Sequence, residues 1–276
     1  MGAVHLTVAD LAEMKDFYTR RLGMHLRREE SGRASLGTAD RDLVVLHERT
    51  GAVRVPQTAG LYHFAVLVPS RLELARSLRQ LMTTATPLQG ASDHGVSEAL
   101  YLSDPEDNGI EIYRDRPREE WPRVGGALSM TVDPLDLDGV ISEIDASGAH
   151  GATPHQLDAR TVMGHVHLHV SRLPETEAFY ADVLGFEVTQ RYGRGALFVS
   201  AGGYHHHLGL NTWAGVGNPP APPGSLGLDY FVVQLPSEVA RARVLERLVE
   251  ARVPATTRAD GVLVADPSGN SILLAA

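Results

Sequence analysis

The sequence predicts an α+β protein built from four similar units. Three observations support this class: a residue pattern that recurs at one constant offset, the order of elements within each repeat, and the lack of βαβα alternation. The residues of the first segment that recur in the second are Val8, Leu11, Phe17, Tyr18, Leu22 and Gly23, matched by Val170, Leu173, Phe179, Tyr180, Leu184 and Gly185. A later set recurs at the same offset, with Asp104, Pro105 and Asn108 matched by Asp266, Pro267 and Asn270.

Each unit is predicted to contain an opening strand, a helix and about three further strands. In units one and three the helix ends at Leu-Gly, and glycine is common just after a helix. The opening strands and helices of units two and four are predicted at residues 61–68, 71–83, 228–235 and 237–251. Strands that flank a single helix in each unit are typical of an α+β fold.

The units group into two repeats separated by a connector. Units one and two occupy residues 1–116, and units three and four occupy residues 162–276. The connector, residues 117–161, contains prolines and paired glycines that favour turns, and one predicted helix at residues 135–146.

The composition excludes several classes of function. The net charge is −9 and no basic stripe is visible, so nucleic acid is not an expected partner. No apolar run approaches the roughly 20 residues that cross a bilayer, and the N-terminus lacks signal-peptide features, so we expect a cytoplasmic protein without a membrane partner. There is no cysteine, so a metal site would have to use His, Asp and Glu.

Histidines gather in unit three. Alternate residues of a strand share one face, so His165, His167 and His169 of the opening strand line the same side. The unit ends with a run of three histidines, in which alternation separates His206 from its two neighbours and places it on the final strand. One strand histidine is usually structural, and the run also fits a solvent-exposed edge. Two clusters in one unit favour a functional polar cavity.

Unit two adds a histidine and a carboxylate. His63 stands in the opening strand, and Glu111 stands in the apolar final strand. A carboxylate in such a strand is costly unless it is paired or bound to a metal, although an outward-facing glutamate would also fit. Two histidines and one carboxylate are typical of mononuclear iron(II) oxygenases, and they leave open positions for substrate and oxygen.

The most specific motif lies at the end of unit two. Its residues follow a known fingerprint in type and spacing, and they are His94, Leu100, Tyr101, Asp104, Pro105 and Glu111. With this motif and the repeats, the chain resembles the vicinal-oxygen-chelate superfamily and, within it, the type I extradiol dioxygenases. It is similar to the two-repeat bacterial catechol 2,3-dioxygenases. Ser92 and Asp107 depart from the fingerprint, both at turn positions.

The resemblance implies two cup-shaped mixed sheets built from βαβββ modules, with a metal in one of them. Carried over by position, the ligands are His63, Glu111 and His165, and the metal is iron(II), with manganese(II) as the alternative. Neither repeat holds a complete set, because the other ligand positions are occupied by Ala3, Tyr230 and Leu273. We therefore expect units two and three to pair around the metal and units one and four to form a metal-free cup, within one chain or between two.

The resemblance also implies a reaction. The enzyme would insert O2 into catechol or a substituted catechol and form a 2-hydroxymuconic semialdehyde-type product, as part of aromatic hydrocarbon catabolism. His206 corresponds to the general acid–base, and His94 and Tyr101 to residues that orient the substrate and stabilise developing charge. The implied partners are the small aromatic diol, O2 and further copies of the chain in a homo-oligomer.

Two other functions stay open at this point. A glyoxalase-like metal-dependent isomerase or lyase would share the fold, but such enzymes usually carry a carboxylate where His206 lies. A metal-free small-molecule-binding protein of the same fold would typically lose the ligand set, which is present here. Metal content and oxygen uptake discriminate among the three.

Overall fold

The computed structural model describes residues 1–147 and 155–276. It contains four units, and each unit consists of a strand, a helix and three further strands. Unit one contains β1 (Val4–Val8), α1 (Leu11–Asp16), β2 (His25–Glu30), β3 (Arg33–Gly37) and β4 (Asp42–Glu48). Unit two contains β5 (Gly60–Leu67), α2 (Arg71–Thr83), β6 (Gly90–Asp93), β7 (Ser97–Ser103) and β8 (Gly109–Asp115). The predicted α+β class is confirmed.

Short elements follow unit two, before the second pair of units begins. They are a 3-10 turn (Arg118–Glu120), β9 (Arg123–Val124), β10 (Ala127–Leu128), β11 (Asp133–Pro134) and α3 (Leu137–Ser147). Unit three contains β12 (Val162–His169), α4 (Leu173–Glu177), β13 (Glu187–Tyr192), β14 (Ala196–Ser200) and β15 (Leu208–Asn211). Unit four contains β16 (Gly227–Gln234), α5 (Glu238–Glu250), β17 (Ala255–Arg258), β18 (Gly261–Ala265) and β19 (Ser271–Ala275). In units one and three the helix continues as a π-helical segment, Phe17–Arg21 and Ala178–Val183.

The longer helices begin at serine caps. The hydroxyl of Ser70 accepts a hydrogen bond from the Glu73 amide at the start of α2, and Ser237 does the same for Ala240 at the start of α5. Such a cap satisfies an amide that has no partner within the helix. The apolar side chains of α2 are spaced so that one face is buried in the core, and these residues are Leu74, Leu78 and Leu81. No helix in the described ranges is both long and apolar enough to span a bilayer.

Within the described residues, all strands except β9 and β10, which pair with each other, form two large mixed sheets. The eight-stranded sheet has the order β17-β18-β19-β16-β1-β4-β3-β2, and the nine-stranded sheet has the order β11-β6-β7-β8-β5-β12-β15-β14-β13. Antiparallel pairing of β5 with β12 joins units two and three, and antiparallel pairing of β1 with β16 joins units one and four. The predicted pairing of units is therefore confirmed, and both pairs form within a single chain.

The repeated Asp and Asn residues form two equivalent buried turns. The Asp104 carboxylate accepts hydrogen bonds from the amide of Asn108 at 2.8 Å and from the hydroxyl of Tyr18 at 2.7 Å. Asp266 accepts the equivalent bond from Tyr180 at 3.1 Å. Burial raises the pKa of Asp104, which these donors partly offset. The repeated residues thus correspond to a repeated contact, in which a tyrosine of one unit donates a hydrogen bond to the last turn of the next unit.

Candidate active site

Three buried side chains meet on the nine-stranded sheet. His63 lies on β5, Glu111 on β8 and His165 on β12, which are adjacent strands. The Nε2 atoms of both histidines lie 3.1 Å from Oε2 of Glu111. One donor atom from each of the three residues lies within 4.8 Å of the others, and no second group of this kind exists among the described residues.

The strand register explains why these side chains converge. Ala65 of β5 stands opposite Glu111 on one side and opposite His165 on the other, so all three share a face of the sheet. His63 precedes Ala65 by two residues and points to the same side. The small side chain of Ala65 leaves room above it for two long polar side chains to meet. A shift in register between Met163 and His165 completes the alignment.

The electrostatics of this group fit a divalent metal. Burial alone would raise the pKa of Glu111, but the neighbouring His165 and His63 hold that pKa well below its ordinary value. Burial lowers the pKa of His63, which favours the neutral imidazole that metals bind. Nε2 of His63 is buried and makes no hydrogen bond with a described residue, although the Glu111 oxygen is 3.1 Å away. A buried lone pair without a donor is what a metal ligand requires.

His167 lies on the same face but belongs to a different part of the site. Its Nε2 is also buried and makes no hydrogen bond with any described residue, yet it lies outside the group of three converging donors. The ring stands 5.0 Å from that of His63 and faces the same cavity. The geometry therefore favours His165 over His167 as a candidate ligand.

His206 borders the same cavity, but its predicted position on a strand is wrong. The chain turns at Gly202 and Gly203, both at positive φ, and β15 begins only at Leu208, so His206 lies in the loop before it. The amide of His207 donates a hydrogen bond to the carbonyl of Val199, so sheet-like pairing starts one residue before β15. His206 therefore lies directly before the paired part of the strand. The ring of His206 is buried, 4.1 Å from that of His165 between centroids. Burial lowers its pKa well below the usual value.

His94 and Tyr101 form a hydrogen-bonded pair at the cavity. Nε2 of His94 lies 2.6 Å from the Tyr101 hydroxyl, and Nδ1 lies 2.7 Å from the carbonyl oxygen of Thr131. Since a carbonyl can only accept, Nδ1 of His94 carries a proton and donates it to Thr131, and Nε2 contacts the Tyr101 hydroxyl. Burial raises the pKa of Tyr101 well above 10, so its hydroxyl stays protonated.

All six residues singled out from the sequence border one cavity of about 370 Å³. Other residues of its wall were not singled out from the sequence: the aromatic side chains Tyr62, Phe198 and Trp213, and Met130, Thr131 and Val132 of the connector. The position of Tyr62 next to His63 in the sequence could have identified Tyr62 as a residue of the cavity wall. The connector residues carry no such signal, because they reach the cavity through tertiary contacts: the pairing of β11 with β6, and hydrogen bonds of Thr131 to His94 and of Met130 to Gln190.

Comparisons with known proteins identify the family of the chain. A model of the glyoxalase/bleomycin resistance protein/dioxygenase superfamily matches residues 1–112 and 162–274. The chain is 44% identical over 273 residues to catechol-2,3-dioxygenase from Bacillus subtilis, covering 97% of this chain and 93% of that protein.

Two solved structures share the fold. A candidate dioxygenase from Bacillus subtilis superposes with a TM-score of 0.64 and 16% identity, covering 100% of this chain and 84% of that one. Glyoxalase I from Zea mays superposes with a TM-score of 0.60 and 13% identity, covering 99% of this chain and 91% of that one. At such identities the likeness extends to the fold alone.

Proposed function

Because the chain belongs to the glyoxalase/bleomycin resistance protein/dioxygenase superfamily, we propose that it is a metal-dependent extradiol dioxygenase that cleaves catechol or a substituted catechol with O2. The product would be a 2-hydroxymuconic semialdehyde-type compound. The observation that carries the proposal is the convergence of His63, Glu111 and His165 on the wall of a cavity that His206 also borders. The 44% identity to a catechol-2,3-dioxygenase supports the same reaction.

His63, Glu111 and His165 would hold iron(II), or manganese(II), through two neutral imidazole nitrogens and one carboxylate oxygen. When bound, the metal supplies Lewis-acid activation of the diol and the redox chemistry that O2 requires. The cavity of about 370 Å³ lies within the range of small-molecule sites. The aromatic rings of Phe198 and Trp213 offer an apolar wall for the substrate ring.

The protein's own residues would then manage protons. His206 is neutral, because burial lowers its pKa, so it can accept the proton that a diol hydroxyl loses and return it later. The Tyr101 hydroxyl is held by Nε2 of His94 on the cavity wall, where it can form a hydrogen bond with a substrate oxygen. The carbonyl of Thr131 in turn holds the ring of His94 through Nδ1.

The test is direct measurement of ring cleavage. Metal-free protein is loaded with iron(II) under anaerobic conditions, mixed with catechol and exposed to air, while oxygen uptake and the yellow ring-fission product are recorded. We expect one O2 consumed for each catechol cleaved. Iron-loaded protein that takes up no oxygen with any catechol tested would refute the proposal. Turnover with nickel or zinc and without oxygen would indicate an isomerase, and tight binding of an aromatic without metal would indicate a binding protein.

A further inference from the structure

A series of hydrogen bonds leads from the cavity wall toward solvent. Nδ1 of His206 lies 2.8 Å from Nδ1 of His205, and Nε2 of His205 lies 2.9 Å from Oδ1 of Asp115. The side chain of His205 is fully buried, whereas that of Asp115 is 27% exposed. Asp115 ends β8 in unit two and the histidines precede β15 in unit three. The series therefore crosses between the same two units as the candidate metal ligands.

The polarity of these bonds follows from what each group can donate. The carboxylate of Asp115 offers only acceptors, so His205 donates the proton on its Nε2. When the His205 ring carries a single proton, the bond to Asp115 places that proton on Nε2, so Nδ1 is an acceptor. In that form Nδ1 of His205 receives the Nδ1 proton of His206, and the lone pair of the His206 ring lies on Nε2.

Building on the proposed function, we propose that Asp115 is a positioning residue that fixes the tautomer of His206 through His205. Nε2 of His206 then meets a substrate hydroxyl as an acceptor. In the proton transfer the substrate O–H bond breaks and an N–H bond forms at Nε2, while the Nδ1 proton stays bonded to His205. Without Asp115, either nitrogen of His206 could carry the proton, and part of the protein would present a donor to the substrate.

The surroundings hold this series in one arrangement. The hydroxyl of Tyr204 donates to Asp115 at 3.1 Å and lies 2.8 Å from the hydroxyl of Tyr113. The ring of His205 contacts those of Tyr204, at 4.0 Å, and Trp121, at 5.3 Å between centroids. The His205 side chain is fully buried, so rotation of its ring, which would exchange the two nitrogens, is opposed by packing.

Asp115→Asn is the variant that tests this role. The amide can donate to Nε2 of His205, which reverses both hydrogen bonds and places the proton on Nε2 of His206. We expect kcat to fall by about 100-fold or more, the range that general base catalysis contributes. KM should stay within about threefold, because a tautomer change removes a transition-state interaction and not substrate binding. The iron content of the purified variant should match that of the wild-type protein.

The tautomer itself is read by ¹⁵N NMR of the metal-free protein, with histidine signals assigned through His205→Gln and His206→Gln. We expect an unprotonated Nε2 on His206 in the wild-type protein and a protonated one in Asp115→Asn. Tyr204→Phe is the matched control, because it removes the other bond to Asp115 but keeps the carboxylate. It should retain the wild-type tautomer and lose less than about fivefold in kcat, the loss of one net hydrogen bond.

Three results would overturn the inference. They are wild-type kcat in Asp115→Asn, a proton on Nε2 of His206 or on both nitrogens of His205 in the wild-type protein, and a loss in Tyr204→Phe equal to that in Asp115→Asn. Failure of the proposed function is separate and visible: the iron-loaded wild-type protein would not cleave catechol. The NMR result on metal-free protein would still decide the tautomer.

Discussion

Glu111→Gln removes the negative charge from the candidate metal site and keeps the size of the side chain. The carboxylate is the one anionic donor of the three-residue group, and its oxygen lies 3.1 Å from Nε2 of His63 and of His165. At an effective dielectric constant of about 20, two unit charges about 4 Å apart interact by about 4 kcal/mol, and a divalent ion doubles this. A loss of at least about 2.7 kcal/mol, or 100-fold in affinity, is therefore a conservative expectation.

This loss converts into a thermal shift. At a metal concentration about 100 times the wild-type Kd, binding stabilises the folded protein by about 2.7 kcal/mol. For a chain of this size that free energy raises Tm by about 5 °C. A variant with about 100-fold weaker binding gains only about 0.4 kcal/mol at the same concentration, or less than about 1 °C.

The assay is thermal unfolding by circular dichroism, with and without manganese(II), which avoids oxidation of iron. Each protein is compared with its own metal-free form, so a change in basal stability from losing a buried carboxylate does not enter the result. His94→Gln is the matched control, because His94 borders the same cavity but lies outside the converging donors. Equal metal-induced shifts in Glu111→Gln and the wild-type protein would refute the assignment of the ligand.

Three further predictions follow from the described contacts. His206→Phe should retain bound metal, measured by metal analysis, and lose about 100-fold or more in oxygen uptake. Gly164→Ala places a Cβ 1.9 Å from the Tyr113 hydroxyl and should lower the free energy of unfolding in urea by about 1–3 kcal/mol. Burial and the neighbouring His47 lower the pKa of His5 to about 3 from 6.5. As pH falls, the unfolded protein therefore takes up a proton at His5 before the folded protein does. The free energy of unfolding decreases below pH 6.5, by about 2 kcal/mol at pH 5.

A specific experimental result would contradict each of these predictions. Loss of metal in His206→Phe would make His206 a ligand. Gly90→Ala is the control for Gly164→Ala, since its nearest contact is a Tyr101 ring atom at 3.9 Å, and equal unfolding midpoints in the two variants would contradict the steric clash. His5→Phe should show a shallower loss of urea stability between pH 7 and pH 5. A slope equal to that of the wild-type protein would exclude His5 as its source.

The pairing of units could be predicted because the chemistry is divided between them. Glu111 and His63 have no histidine partner at the equivalent position of unit one, where Ala3 stands, and His165 has no carboxylate partner in unit four. The complete set of predicted ligands requires units two and three to meet. The observed pairing of β5 with β12 is the simplest way to bring them together.

The cavity wall could be predicted only in part. Alternation along a strand places residues such as His63 and His165 correctly, because the rule depends on local geometry alone. The rule fails at His206, because this residue lies before the first residue of β15. It also gives no information about the contact between Asp115 and His205. Contacts of this kind depend on tertiary packing between units, which no local period in the sequence encodes.

The division of the site between the two repeats has a consequence for protein engineering. Two polypeptides made by breaking the chain between α3 and β12 would each lack part of the site. The first would carry His63 and Glu111, and the second would carry His165. Reassociation through the β5–β12 and β1–β16 pairs would rebuild both sheets at once. A metal that binds only the complete site would then favour the assembled heterodimer over the separate fragments. The chain is therefore a suitable template for a split protein whose assembly depends on metal.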